Sequence, residues 1–224
     1  MKSLFATLLL VFTASLHAEA APQQGAEYIL TPQVLATENP AKVEVVELFW
    51  YGCPHCYHLD PQLNGWVKKL PKDTVDFKRI PGVFQPTWVP MAKAYYTLEA
   101  LNLTEKLHAN LFEAIHNQKT LKPTDEAAAI DWIAKQSGLD KKKVEDTFNS
   151  FSVSTKVSRA AQYSKTSGAS GVPAIFVDGK YYTSVKMATN ALPDNISQER
   201  SHIELLKVVD YLIAKAAQEK PAKR

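Results

Sequence analysis

The sequence has little excess charge, no internal repeat and few segments apolar enough to enter a membrane. Its 224 residues carry a formal net charge of +3, which is too small to indicate a nucleic-acid partner. Beyond the N-terminal region no segment stays apolar for 18 residues, so we expect no membrane span in the mature protein. The absence of repeats excludes a solenoid. The composition is otherwise that of an ordinary globular protein.

The N-terminal residues have the pattern of a secretory signal peptide. Lys2 supplies a positive start, an apolar run extends over residues 4–12, and Ala18 and Ala20 are the small residues of a cleavage site. The run is too short to span a bilayer, and no cysteine follows it that could carry a lipid anchor. The alternative is a buried N-terminal helix. We expect residues 1–20 to be removed and the mature protein to be exported and soluble.

Cysteine is scarce as well, since Cys53 and Cys56 are the only two. In an exported protein two cysteines would normally indicate one structural disulfide. A loop this short constrains the unfolded chain little, which disfavours a purely structural bond. The spacing suits a pair that is oxidised and reduced reversibly.

Strand patterns occur in two separate parts of the chain. After a polar lead-in, residues 42–49 form a β-branched apolar run that predicts a buried strand. The CPHC segment follows, then a helix to about Leu70 and a second strand over residues 75–80. Near the C-terminus, residues 174–177 and 180–185 predict a hairpin around a two-residue Asp178-Gly179 turn.

Helical periodicity fills the region between the two strand units. From about Thr87 to Gly168 apolar residues recur at helical spacing, Gly138 is expected to end one helix, and Asp140 to cap the next. A last helix is predicted over residues 198–218. The sequence therefore predicts an α/β sheet interrupted by a helical insertion. We expect one unit to comprise residues 21–83 and 169–224, and the insert to comprise residues 84–168.

The two cysteines lie where a strand passes into a helix. A thiol at a helix N-terminus faces unpaired N–H groups and the positive end of the dipole, which lowers its pKa. Cys53 is therefore the predicted nucleophile, and Cys56, one turn further on, the buried resolving thiol. Pro54 suits the first helical turn, where its missing N–H costs nothing. His55 can place positive charge near the Cys53 sulfur.

A zinc site is the non-redox alternative for this segment. Structural zinc sites need four ligands, usually with more cysteines than two. His55 and His58 could complete such a site only with awkward local geometry. We therefore expect no metal, and no small-molecule cofactor.

The strand–CPHC–helix arrangement resembles the DsbA family of periplasmic thiol:disulfide oxidases, members of the thioredoxin superfamily. Gly171-Val172-Pro173, ahead of the apolar strand at residues 174–177, resembles the family's cis-proline loop. The helical segment between the strand units also fits, and the resemblance covers about residues 40–218. It implies a thioredoxin fold with an inserted all-helical domain.

The resemblance also implies roles for individual residues. Pro173 corresponds to the cis-proline that packs against the active-site disulfide, leaving the Val172 backbone free to align a substrate strand. Glu47 corresponds to a buried acid that assists proton transfer to or from Cys56. Lys78 corresponds loosely to the partner of that acid. Gly52 departs from relatives that carry an aromatic residue there, which would alter the apolar contact surface.

Simpler interpretations exist for several of these residues. Gly171–Pro173 could be only a strand-initiating turn, and Glu47 could face solvent on an edge strand. The aromatic side chains near the motif could line a substrate groove, although aromatics beside a core strand usually belong to the core. They are Trp50, Tyr51 and Trp88. Four histidines without a partner pattern are expected at the surface: His58, His108, His116 and His202.

The resemblance implies a monomeric periplasmic oxidase that donates the Cys53–Cys56 disulfide to reduced, newly exported polypeptides. A quinone-linked membrane protein of the DsbB type would reoxidise it. One alternative is a reductase or isomerase on the same fold. Isomerases of this kind carry an N-terminal dimerisation domain, and the roughly twenty residues between the cleavage site and the first strand are too few for one. Another alternative is a non-catalytic peptide-binding holdase, against which the intact CPHC motif argues.

Overall fold

The computed structural model describes residues 20–220. The predicted signal peptide, apart from Ala20, lies outside the described residues, as does the basic C-terminal tail. Within residues 20–220, no helix is long and apolar enough to cross a membrane.

A five-stranded mixed sheet forms the centre of the molecule. In chain order its strands are β1 (Ile29–Leu30), β2 (Val43–Phe49), β3 (Val75–Pro81), β4 (Ala174–Val177) and β5 (Tyr181–Thr183). Their order across the sheet is β1-β5-β4-β2-β3, with β2 and β3 parallel and the other pairs antiparallel. Every residue of β2 is buried, including Glu44 and Glu47, as expected for a strand covered on both faces.

Eight α-helices accompany the sheet in the described part of the chain. They are α1 (Pro54–Val67), α2 (Val89–Ala100), α3 (Thr104–His116), α4 (Glu126–Ser137), α5 (Lys141–Phe148), α6 (Phe151–Thr166), α7 (Val185–Ala188) and α8 (Gln198–Glu219). Helices α1 and α8 share one core with β2 and β4, which includes Leu59, Val45 and Leu205. This packing fixes the start of α1 against the end of β2.

Helices α2 to α6 follow one another between β3 and β4, and residues 82–173 contain no strand. Gly138 ends α4 in the left-handed conformation at φ 72°, and the Asp140 side chain caps α5 by accepting from the Lys143 N–H. Both features follow from their sequence signals. The predicted helical insertion is confirmed, and its core extends to Phe49 and Tyr51 beside the CPHC segment.

The β4–β5 connection contains the predicted Asp178-Gly179 turn but spans three residues, 178–180, because β5 begins at Tyr181 rather than at Lys180. Asp178 and Gly179 both have positive φ, 53° and 65° respectively, as a type I′ hairpin turn requires. A Cβ on Gly179 would lie 2.1 Å from the Leu35 carbonyl oxygen. Glycine is therefore required there by close packing as well as by backbone conformation.

Several element boundaries differ from the sequence prediction. Helix α1 ends at Val67 rather than about Leu70, and β5 spans only three residues. Strand β1, within the predicted lead-in, and helix α7 were not predicted. Both are too short to show a periodicity, and β1 exists because its backbone pairs with β5 at the edge of the sheet.

Candidate active site

Cys53 lies at the junction between the central strand and helix α1. It is the N-cap residue, with extended backbone at φ −89° and ψ 117°, and Pro54 opens the helix. Cys53 is 9% exposed, whereas Cys56, one helical turn further on, is fully buried. Both are free thiols. The turn thus leaves Cys53 a small exposed fraction and encloses Cys56 completely.

The environment of Cys53 favours its thiolate. A hydrogen bond from the Cys56 thiol, the backbone N–H groups of Cys56 and His55, and the charge of His55 together lower the pKa of Cys53 to about 6, against an opposing effect of burial. At pH 7 about nine tenths of Cys53 would then be ionised. Because only the thiolate attacks a disulfide, this side chain is poised as a nucleophile or leaving group.

Cys56 has the opposite character. Its burial raises the pKa well above that of an ordinary thiol, and the charges of Cys53 and Glu47 add to the effect. It therefore stays protonated at neutral pH. A Cys56 thiolate, when formed by breaking a disulfide, would be a strong base that needs a proton.

The Val172–Pro173 segment lies directly across from Cys53. The peptide bond between these two residues is cis. The Val172 carbonyl oxygen lies 3.4 Å from Cys53 Sγ. Val172, Pro173 and His55 line one end of a groove of about 510 Å³, which continues to α7 and the start of α8. The structure therefore brings together the CPHC turn and the loop that the sequence placed more than a hundred residues away.

Glu47 lies on β2, inside the protein, and is only 1% exposed. Burial raises its pKa to about 7; the neighbouring charge of Asp60 and that of Cys53 also raise it, while Arg79 acts in the opposite direction. The Arg79 Nε donates to Glu47 Oε2 at 2.8 Å. A carboxyl with this pKa can hold or release a proton at neutral pH, and its charge contributes to the raised pKa of Cys56.

The expected pairing of Lys78 with Glu47 is wrong. Lys78 Nζ instead contacts Glu44 Oε2 at 2.7 Å and Glu38 Oε2 at 2.7 Å. In the parallel β2–β3 ladder Glu47 is the register partner of Arg79, and Lys78 is one residue away. Since adjacent strand residues face opposite sides of a sheet, Lys78 lies on the other face.

Three of the histidines expected at the surface are not there. His108 is 5% exposed and His202 is 4% exposed, and His116 is half-buried with Nε2 2.7 Å from the Tyr51 carbonyl oxygen. Only His58 is exposed. His108 lies next to Leu107 and three residues before Leu111, within the apolar stripe of α3. This position in the sequence indicated that His108 could be buried.

Sequence reasoning missed Arg79, Asp60 and His108, which complete a polar cluster around Glu47. Asp60 is buried on α1, and its Oδ1 is 3.4 Å from Arg79 Nη2 and 3.2 Å from His108 Nε2. The sequence did indicate that Asp60 lies near Cys56, because it follows Cys56 by four residues and is therefore on the same face of the helix.

The aromatic side chains beside the motif divide between core and surface. Tyr51 is fully buried in the insert's core. Trp50 is half-buried and stacks on Trp88, with ring centroids 4.3 Å apart and planes within 2°. A Cβ on Gly52 would lie 2.4 Å from the Trp50 ring. The missing side chain at Gly52 therefore makes room for the Trp50 indole.

Metal binding was the sequence-based alternative for the CPHC segment. Across residues 20–220, no group of three or more His, Cys, Asp or Glu side chains is arranged to hold a metal ion.

Comparison with protein families and curated sequences gives a consistent result. Residues 80–202 match the model of the DSBA-like thioredoxin domain. A thiol:disulfide interchange protein DsbA from Burkholderia cepacia is 42% identical over 198 residues, which cover 86% of this chain and 92% of that protein. The DsbA of Pseudomonas aeruginosa is 36% identical over 219 residues, covering 96% and 97% of the two chains.

Solved structures agree with the sequence relatives. The crystal structure of Pseudomonas aeruginosa DsbA superimposes with a TM-score of 0.76 at 36% identity, covering 88% of this chain and 97% of that one. Reduced DsbA1 from Neisseria meningitidis gives a TM-score of 0.74 at 25% identity, covering 92% and 100%. The sheet and the helical insertion are therefore a thioredoxin fold with an inserted all-helical domain, and the chain belongs to the DsbA family of thiol:disulfide oxidoreductases.

Proposed function

We propose that this protein oxidises reduced, newly exported polypeptides by donating the Cys53–Cys56 disulfide. A substrate thiolate attacks Cys53 Sγ, a new S–S bond forms, and the Cys53–Cys56 bond breaks. Cys56 leaves with the electron pair and takes a proton. A second substrate thiolate then attacks the substrate sulfur of the mixed disulfide, and Cys53 leaves as a thiolate. The substrate gains a disulfide and the CPHC pair is left reduced.

The difference between the two thiols is the observation that carries this proposal. Cys53 keeps a small exposed fraction and has a pKa of about 6, whereas Cys56 is fully buried and its pKa is raised. A thiolate that is stable at neutral pH is a good leaving group, which favours release of the oxidised substrate. Pro54 and His55 contribute by opening the helix at Cys53 and by adding positive charge next to its sulfur.

Val172 and Pro173 are proposed to hold the substrate beside Cys53. They line the groove together with His55, and the Val172 carbonyl oxygen lies 3.4 Å from Cys53 Sγ. An extended substrate segment in this groove could pair with the Val172 backbone. Its cysteine would then lie within reach of Cys53.

Glu47 is proposed to exchange the proton with Cys56. The leaving Cys56 thiolate is buried and cannot take a proton directly from bulk water. Glu47 is buried with it and has a pKa of about 7, so it carries a proton in about half of the molecules at neutral pH. In the reverse direction the Glu47 carboxylate would accept the Cys56 proton.

The remaining assignments follow from family membership. We expect a periplasmic, monomeric protein that a quinone-linked membrane protein of the DsbB type reoxidises, with no small-molecule cofactor, metal or nucleic-acid partner. We assign residues 1–20 to a signal peptide, residues 21–83 and 169–224 to the thioredoxin-like domain, and residues 84–168 to the inserted helical domain.

Oxidation of a model peptide that contains two cysteines tests the proposed direction of the reaction. The oxidised protein, with glutathione excluded, is expected to convert one equivalent of peptide to its disulfide. Cys53→Ser is expected to be inactive. An activated disulfide form of Cys56→Ser is expected to remain joined to a peptide that has one cysteine, and to release a peptide that has two as its disulfide. Equilibration with glutathione decides between oxidase and reductase: a pair that glutathione leaves mostly oxidised would contradict the oxidase assignment.

A further inference from the structure

A buried histidine links the helical insert to the polar cluster beneath the active site. His108 belongs to α3 and lies between Tyr51 and Asp60. Its Nδ1 is 2.7 Å from Tyr51 Oη, and its Nε2 is 3.2 Å from Asp60 Oδ1. The imidazole thus joins the turn two residues before Cys53 to the face of α1 that carries Cys56.

The partners of His108 define its protonation. Burial lowers the pKa of His108, so the ring is neutral at pH 7. Burial also raises the pKa of Tyr51, which therefore keeps its hydroxyl proton. Nε2 faces a carboxylate oxygen and Nδ1 faces a hydroxyl, so both contacts are hydrogen bonds when Nε2 carries the ring hydrogen and Tyr51 donates to Nδ1. The ring hydrogen then lies on Nε2 and points at Asp60 Oδ1.

Asp60 has further donors on its other side. Asn64 Nδ2 donates to Asp60 Oδ2 at 2.7 Å, and Arg79 Nη2 is 3.4 Å from Asp60 Oδ1. Arg79 Nη2 also donates to Asn64 Oδ1 at 2.6 Å, while its Nε donates to Glu47. A continuous path of hydrogen bonds therefore runs from Tyr51 to Glu47.

The charges in this cluster do not balance when both carboxyls are ionised. Asp60 and Glu47 are both buried and share one guanidinium, that of Arg79, whose side chain is 13% exposed. The charge of Asp60 raises the pKa of Glu47, and the proton goes to the carboxyl with fewer donors. Asp60 has three donors, from His108, Asn64 and Arg79, whereas Arg79 is the donor recorded for Glu47.

We propose that His108 is a positioning residue of the disulfide reaction: its Nε2–H holds Asp60 as the ionised partner of Arg79 and so leaves the exchangeable proton on Glu47, beside Cys56. The inference rests on the proposed role of Glu47. When Cys56 leaves the broken disulfide, Glu47 gives it that proton and becomes a carboxylate. Asp60 keeps its charge throughout, because His108 continues to donate to it.

The charged groups that act on His108 are Asp60 and, further along the cluster, Arg79. Two phenols also lie near its ring: that of Tyr51, and that of Tyr95 on α2, whose ring centroid is 6.1 Å away. The other ring contacts are with Phe49 and Phe112. A change at His108 therefore acts on Glu47 through Asp60.

The test is the titration of Glu47, followed by carboxyl ¹³C NMR on labelled, reduced protein. His108→Leu removes the donor to Asp60, so Asp60 is expected to compete for the proton and the Glu47 midpoint to fall by about 1 pH unit or more. His108→Gln can donate from its amide to Asp60 and is expected to restore the midpoint. Tyr51→Phe frees Nδ1 to carry the ring hydrogen and is expected to give a smaller shift in the same direction.

Leu107→Ala is the matched control, because Leu107 is buried on the same helix and has no polar atom. It is expected to lower stability without moving the Glu47 midpoint. An unchanged midpoint in folded His108→Leu, or an equal shift in Leu107→Ala, would overturn the proposal. If His108→Leu does not fold, an unchanged midpoint in Tyr51→Phe overturns it. Failure of the proposed function is separate: Glu47→Gln would then leave the rate of peptide oxidation unchanged.

Discussion

Arg79 and Glu47 face each other across the parallel β2–β3 ladder, with Nε and Oε2 2.8 Å apart in the interior of the protein. This pair sets the character of the acid beneath the active site. Without the guanidinium, burial would raise the pKa of Glu47 further than about 7. The pair therefore keeps the carboxyl in the range where it can exchange a proton with Cys56.

Replacing either basic residue of β3 should separate their roles. Arg79→Met removes the charge that lowers the pKa of Glu47, so the Glu47 titration midpoint is expected to rise above 7. Because it also leaves Asp60 without its cation, we expect a loss of about 3 kcal/mol or more in unfolding free energy. Lys78→Met changes a residue on the other face, and its Glu47 midpoint should match that of the parent. A shift with Lys78→Met would contradict the observed register.

Removing the carboxyl of Glu47 should stabilise the protein at alkaline pH. The folded pKa of about 7 lies above the ordinary value of 4.5, so the folded state binds the proton more tightly than the unfolded chain. Stability is therefore lost as pH rises from about 4.5 to 7, by up to about 3 kcal/mol. Glu47→Gln is expected to be more stable than the parent at pH 8 and equal to it at pH 4, as measured by urea unfolding.

The same substitution should slow proton-dependent catalysis. Peptide oxidation by Glu47→Gln is expected to fall by about tenfold or more near neutral pH, because Cys56 loses its proton donor. If Glu47→Gln is more stable than the parent but oxidises the peptide at the same rate, Glu47 takes no part in the proton transfer to Cys56.

The stability of the reduced form relative to the oxidised form should increase with pH. A Cys53 pKa of about 6, below the ordinary 9, stabilises the folded reduced protein once the thiolate forms. This contribution is complete above about pH 9 and is lost as pH falls through 6. Between pH 5 and pH 8 it amounts to about 3 kcal/mol. Urea unfolding of both redox forms at the two pH values measures it, and a difference that is independent of pH would contradict the depressed pKa.

Gly52 should not accept a side chain while Trp50 stacks on Trp88. In Gly52→Ala the new Cβ would overlap the Trp50 ring, so the ring must move and the stack must break. We expect a loss of about 1–3 kcal/mol in stability and a change in tryptophan fluorescence. Gly65→Ala is the control: it lies inside α1, its Cβ meets nothing within 4 Å, and it is expected to stabilise by about 0.5–1 kcal/mol.

Local patterns were enough to predict most of the fold. The strand before CPHC, the helix after it and the Asp178-Gly179 hairpin each depend on neighbouring residues in the sequence. The two-residue strand β1 could not be predicted, because it is defined by its pairing with β5.

The candidate site was only partly predictable, because some of its members are defined by tertiary contacts. To identify Arg79 rather than Lys78 as the partner of Glu47, the register of β3 against β2 must be known to within one residue. Burial of His108 was missed because its partners, Tyr51 and Asp60, lie about fifty residues earlier in the chain. Partners so distant in sequence cannot be recognised from local patterns. The sequence around His108 shows only a polar residue within an apolar stripe.

Alkylation of the reduced protein by iodoacetamide, measured residue by residue with mass spectrometry from pH 4 to pH 9, tests the central claim most directly. The account predicts rapid labelling of Cys53 with a midpoint near pH 6, and no labelling of Cys56 in the folded protein. Equal labelling of the two thiols, or faster labelling of Cys56, would contradict the assignment of Cys53 as the reactive sulfur.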